Sequence, residues 1–239
     1  MRDTSTTIRS IVADDFRAAA VFQKYGIDFC CGGDRPVAEA CRERGIDDDA
    51  VLADLEAATT TSSDVPRFSA WDLDFLANYI VTNHHAYVRR AVETIGAHTA
   101  RVAEVHGQHH PEVLEIKSLF QAVADEMVQH MAKEERVLFP YIAALAGAGR
   151  GGPVPRAPFG TIANPIRMME AEHASAGDAM ATIRQLSGDF TPPPDACTTF
   201  KVTYQELREF EADLHRHVHL ENNILFPKAL ELERKLNAR

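Results

Sequence analysis

The sequence predicts an all-α protein, a four-helix bundle with a small N-terminal helical domain in front of it. Apolar residues recur at i, i+3, i+4 and i+7 through four long segments, no stretch alternates as a strand would, and proline and glycine gather between the segments. With 45% hydrophobic and 25% charged residues in 239, the chain can bury a core.

The first 58 residues predict short helices over Asp14–Tyr25, closed by Gly26, over Pro36–Arg44, closed by Gly45, and over Asp47–Ala57, entered through three aspartates. So small a unit has a marginal core and is expected to lean on the bundle or on a partner. Residues 59–68, which open Thr59-Thr-Thr-Ser-Ser-Asp, form a polar linker, and the bundle occupies 69–235. Its helices are expected over residues 69–100, 112–146, 162–187 and 196–233. Gly147 to Pro155 cannot be helical, and Pro192-Pro193-Pro194 makes a loop in which Asp195 is placed to cap the last helix.

Two segments share one pattern. His130-x3-Glu134-x3-Leu138-Phe139-Pro140 and His217-x3-Glu221-x3-Leu225-Phe226-Pro227 both read H-x3-E-x3-L-F-P. A four-residue step turns a helix by about 400°, so His and Glu project from one face a single turn apart. That face is apolar: Ile116, Val123, Met127, Val137 and Tyr141 flank the first pair, and Phe200, Leu207, Phe210, Leu214 and Ile224 the second. A carboxylate turned inward is costly unless something pairs with it. The other two helices each place one histidine in their apolar stripe, His84 and His173, 46 and 44 residues ahead of His130 and His217. The chain therefore resembles two helix pairs related by an approximate two-fold axis, with His84, His130, His173, His217, Glu134 and Glu221 converging at mid-bundle as metal ligands. A single H-x3-E is usually a solvated ion pair; two copies in one register with matched histidines favour metal.

The set is imidazole nitrogen and carboxylate oxygen, without thiolate, with two carboxylates able to bridge and coordination positions left open. It points to two non-haem iron ions in a carboxylate-bridged centre, manganese or a mixed pair being the alternatives. Pro140 and Pro227 are expected to kink or end their helices at one level. Under regular α-helical rotation His85, His215 and His219 fall off the inward face and are expected in solvent, as are His98, His109 and His110. His106 is a candidate for an outer or additional ligand. Tyr79 and Tyr141 either hydrogen-bond near the cluster or simply pack.

A formal charge of −10 argues against a nucleic-acid partner. No apolar run approaches the roughly 18–20 residues of a membrane span, and the N-terminus lacks a signal-peptide stretch, so a cytoplasmic protein is expected. Cys30, Cys31, Cys41 and Cys197 make no disulfide framework. The vicinal pair Cys30-Cys31-Gly32-Gly33 has the setting of exposed thiols with a lowered pKa, suited to thiol redox chemistry, nitrosation or iron hand-off; the alternative is two half-buried cysteines in a tight turn. Cys41 and Cys197 are read as packing residues.

The metal pattern looks like a hemerythrin-like domain. Together with Phe22-Gln-Lys-Tyr-Gly-Ile-Asp-Phe-Cys30-Cys31-Gly-Gly it is similar to the di-iron Repair of Iron Centres family, over nearly the whole chain. The resemblance implies repair of iron-sulfur clusters damaged by nitric oxide or peroxide, by release of iron to the damaged proteins. It also implies that nitric oxide reduction at the di-iron site is to be tested, which leaves an enzyme activity open. Oxygen-carrying hemerythrins end in H-x4-D and use a fifth ligating histidine, where this chain has His217-x3-Glu221; an oxygen- or nitric-oxide-binding sensor is the alternative function, and a purely structural metal bundle a third. Whether the chain forms a homodimer is left open.

Overall fold

The computed structural model describes residues 4–60 and 66–238, so residues 61–65 of the expected linker lie outside the described residues. Four short helices come first: α1 (Ile8–Asp14), α2 (Ala18–Lys24), α3 (Val37–Arg44) and α4 (Asp48–Thr60). A 3-10 turn at Phe68–Ala70 leads into the bundle, and each of three bundle helices is interrupted by one π-turn. The first is α5 (Leu73–Ile80), the π-turn Val81–His85 and α6 (Ala86–His106). The second is α7 (Glu112–Lys133), the π-turn Glu134–Leu138 and α8 (Phe139–Gly149). The third is the uninterrupted α9 (Ala163–Leu186). The fourth is α10 (Thr198–Leu220), the π-turn Glu221–Leu225 and α11 (Phe226–Asn237). Among the described residues there is no strand, only an isolated bridge between Thr7 and Pro36.

The π-turns correct the expectation of a kink or stop at the prolines. Pro140 and Pro227 are the second residues of α8 and α11. A proline cannot donate to the carbonyl four residues back, and the backbone answers by widening the preceding turn: Phe139 N–H reaches Glu134 O and Phe226 N–H reaches Glu221 O, five residues back. The extra residue rotates the remainder of each helix about its axis. Val137, expected inside, is 46% exposed, while Leu138 is buried.

The apolar stripes meet in two buried clusters. One joins Val88, Ile95, Phe120, Met131, Met180, Phe210 and Val218 to the N-terminal core of Ile8, Phe22, Val37 and Leu55. The other holds Leu76, Ile80, Leu138, Ile166, Leu220 and Phe226. Along every bundle helix the break between them falls at the level of the predicted ligands: between Ile80 and Val88, Met131 and Leu138, Met169 and Ala176, and Val218 and Leu220. A polar layer thus crosses the middle of an otherwise apolar bundle. α1 leaves no clear mark in the sequence because its seven residues are too few for a periodic signal; Thr7 caps it by accepting from Ser10 N–H. Gly45 ends α3 in the left-handed conformation, as expected. Asp195 does not cap α10, whose N-cap is Cys197; its carboxylate instead pairs with His110.

Candidate metal centre

Two sets of four donors lie in the polar layer, and they share two members. His85, Glu134, His217 and Glu221 have ligand atoms all within 4.8 Å of one another, as do His130, Glu134, His173 and Glu221; every one of these residues is buried. Across the first set His85 Nε2 is 3.2 Å from His217 Nε2 and 3.3 Å from Glu134 Oε2. Across the second His173 Nε2 is 3.0 Å from His130 Nε2 and 3.0 Å from Glu221 Oε2. Two nitrogens bound at about 2.1 Å and about 90° apart on one cation would stand about 3.0 Å from each other. Each quartet would suit a cation, and Glu134 and Glu221 are common to both.

Outer partners fix which ring nitrogen faces inward. His130 Nδ1 meets Glu172 at 2.9 Å, His85 Nδ1 meets Glu135 at 2.7 Å, and His84 Nδ1 meets Asp213 at 2.9 Å. A carboxylate only accepts, so each Nδ1 carries a proton, which leaves the Nε2 atoms of His85 and His130 as the nitrogens turned to the centre. For His173 the partner is Asn222, whose Nδ2 donates to the Cys30 carbonyl, so its Oδ1 must accept from His173 Nδ1–H at 2.9 Å. Facing lone pairs 3.0 Å apart repel unless a proton or a metal lies between them. Such carboxylate- or amide-held histidines are the usual support of metal ligands.

The charges agree. Burial raises the Glu134 carboxyl and the Glu221 charge raises it further, yet His130 and His85 hold it below the ordinary value. Glu221 is held well below, against burial, by His217, His173 and His85. Burial works against protonated His85, but Glu134 and Glu221 push its pKa up to about 10; the same balance puts His130 at about 9. His217 goes the other way, pushed down by its burial. Two buried anions thus hold protons on two histidines, protons that metal ions would displace.

The structure brings together five of the six expected ligands and adds His85. His84 is buried but outside both quartets; its ring stacks on His217 at 5.7 Å between centroids, and its Nε2 has no hydrogen-bond partner. The expectation that His85 is solvated fails because Val81–His85 is a π-turn, in which the inward position slips by one residue. His219, also expected in solvent, is buried because the N-terminal domain covers that side of α10: Phe16 packs on its ring at 4.9 Å, and Asn223 Nδ2 donates to its Nδ1 at 3.0 Å. His215 is half-buried beside Phe29. His106 lies away from the centre, with Nε2 3.2 Å from Cys197 Sγ. Tyr79 meets His84 edge-on at 5.9 Å, while Tyr141 donates to Glu233.

The cysteines differ from expectation as well. Cys30 is only 7% exposed, and its pKa is pushed well above the ordinary thiol by the neighbouring Cys31, by burial and by Asp28, so it is not a thiol activated by its surroundings. Asp28 shapes the loop: Oδ1 accepts from the N–H groups of Cys30 and Cys31, and Oδ2 from that of Gly32. Both cysteines border a cleft of about 380 Å³ between this loop and the bundle, facing Gly177, Arg184, Glu211 and His215. Cys41 is buried as expected; Cys197 is exposed rather than packed.

A helical bundle with histidines and shared carboxylates across its middle defines a hemerythrin-like cation-binding protein, and the Hemerythrin HHE cation binding domain model matches residues 76–229. The model ScdA_N, described as a domain of unknown function (DUF542), matches residues 4–59. The chain is 30% identical over 228 residues to the iron-sulfur cluster repair protein ScdA of Staphylococcus haemolyticus (strain JCSC1435), covering 95% of this chain and 99% of that protein. It is 34% identical over 217 residues to the iron-sulfur cluster repair protein YtfE of Yersinia pestis (strain Pestoides F), covering 91% and 93%, and equally to that of Yersinia pseudotuberculosis serotype O:1b (strain IP 31758). The chain belongs to the iron-sulfur cluster repair family, hemerythrin-like proteins with an N-terminal dicysteine domain. Among the described residues no helix is long and apolar enough to cross a membrane.

Proposed function

We propose that this protein repairs iron-sulfur clusters damaged by nitrosative or oxidative stress, and does so by giving up iron held at mid-bundle. The observation that carries the reading is the pair of donor quartets sharing Glu134 and Glu221. His85 and His217 would hold one iron, His130 and His173 the other, with His84 stacked behind His217. An all-nitrogen and oxygen set with shared carboxylates suits iron better than a structural zinc, which favours a closed shell and often thiolate. Bound iron would supply both the redox chemistry of the site and the cargo for repair. The chain's own part is to hold imidazole lone pairs inward through Glu135, Glu172 and Asn222, and to let two carboxylates change binding mode as iron comes or goes.

The acceptors would be damaged iron-sulfur proteins of the cytoplasm, in keeping with the names of the relatives. Nitric oxide or oxygen would be the small ligand, and nitric oxide reduction a separate activity of the same centre. The test is recovery of an iron-sulfur enzyme inactivated by nitric oxide, with iron-loaded protein set against an equal amount of ferrous salt. Faster recovery with the protein, lost in E221A, is expected; equal recovery with the salt would end the repair reading.

A further inference from the structure

Glu221, Asn222 and Asn223 are consecutive and all buried, which the π-turn Glu221–Leu225 permits by spreading successive side chains over different neighbours. Glu221 faces the metal donors, and the two asparagines face the N-terminal domain. Asn222 Oδ1 accepts from His173 Nδ1–H at 2.9 Å, while its Nδ2 donates to the Cys30 carbonyl at 3.1 Å. Asn223 Nδ2 donates to the Phe29 carbonyl at 2.9 Å, its Oδ1 accepts from Arg9 Nε at 3.1 Å, and its other neighbour is His219. The loop comes close enough that a Cβ on Gly33 would stand 3.2 Å from Asn223 Oδ1.

We propose that Asn222 is a positioning residue that couples the dicysteine loop to the metal centre, one amide holding both the His173 ring and the Cys30 backbone. The inference rests on His173 being a metal ligand. Of the two asparagines only Asn222 touches a proposed ligand, so Asn223 anchors the loop whatever the state of the centre, and Asn222 makes the loop answer to it. When the His173 ring is free to turn, Asn222 loses its acceptor contact and the Cys30 carbonyl loses its fixed donor. Buried Cys30 then gains access to the cleft it borders. By thermodynamic reciprocity, opening the loop weakens the hold on His173 to the same extent.

Substitutions divide the two arms. N222D keeps an acceptor for His173 Nδ1–H but sets a carboxylate oxygen against the Cys30 carbonyl, whereas N222A removes both contacts. The measurement is the rate at which iodoacetamide alkylates each cysteine of the full chain, read by peptide mass, together with iron content. Cys41, buried in the same N-terminal domain, reports general unfolding. In the wild type, stripping iron with a chelator is expected to speed Cys30 alkylation about tenfold, as befits loss of one anchoring hydrogen bond, with Cys41 unchanged. N222D is expected to retain iron and to show the fast Cys30 rate with or without it. N222A should share that rate and bind iron about 10–100-fold more weakly. Unchanged Cys30 alkylation in iron-loaded N222D, or Cys30 and Cys41 rising together, overturns the coupling. Failure of the wild type to bind iron would instead strike the proposed function, a result that iron content alone reveals.

Discussion

His84 and His85 are neighbours in the chain, yet their Nδ1 atoms are tied to carboxylates of two different helices, His84 to Asp213 at 2.9 Å and His85 to Glu135 at 2.7 Å. Both residues are buried, but only His85 joins a donor quartet. H85A is therefore expected to weaken iron binding by more than the roughly 10–100-fold typical of an outer partner, and H84A by less. Chelator competition on the two variants checks this, and the reverse order would return the ligand role to His84.

Glu172 and Glu135 belong to neither donor quartet; each holds a histidine Nδ1 and also pairs with a cation, Lys133 or Arg89. E172A and E135A should each keep the far-ultraviolet circular dichroism of the wild type and bind iron about 10–100-fold more weakly. Lys133 also pairs with Glu172, so K133A serves as the control that removes the surface ion pair alone. An affinity unchanged in E172A would mean that His130 needs no outer support.

The charged layer predicts different pH behaviour with and without metal. In the metal-free protein His85, at about 10, and His130, at about 9, lie above the ordinary 6.5. Their contribution to stability is fully present below about pH 6.5 and is lost as pH rises through about 9 to 10. Glu134 and Glu221 lie below the ordinary 4.5, so their contribution is present above about pH 4.5 and is lost on acidification below it. The metal-free melting temperature should fall between about pH 7 and 10, while iron loading removes that fall and releases protons. A metal-free melting temperature that stays level to about pH 10 would contradict the assigned charge states.

His219 is a buried neutral histidine, its pKa pushed down to about 3 by burial, and it sits at the seam between the two domains. H219A should cost about 1–3 kcal/mol in denaturant unfolding, through the lost contact with Phe16 and the one Asn223 N–H left without its acceptor, with iron content unchanged. Loss of iron in H219A would show that this seam, and not only Asn222, supports the centre.

The sequence was most legible where regular helical geometry holds. The repeated H-x3-E with its Leu-Phe-Pro tail placed His130, Glu134, His217 and Glu221, and His173 came from an uninterrupted helix. The failures have two physical causes. The proline that closes each tail goes with a widened turn before it, so Val137 leaves the core, and a third π-turn brings His85 into a donor quartet while His84, also buried, stays outside both. That third turn has no proline to announce it. The second cause is packing between domains: His219, Asn222 and Asn223 look polar and solvent-facing on the helix taken alone, and only the docked N-terminal loop buries them. The thiol environment differs from expectation for the same reason, since Cys30 is covered by the contact that the asparagines make.

Whether the bundle holds a pair of bridged irons is decided by anaerobic purification followed by metal analysis and Mössbauer spectroscopy. Shared Glu134 and Glu221 predict about two irons per chain, magnetically coupled, with E134A and E221A each losing the coupled signal. A single zinc per chain with no response to nitric oxide, or irons that show no coupling, would contradict the bridged centre.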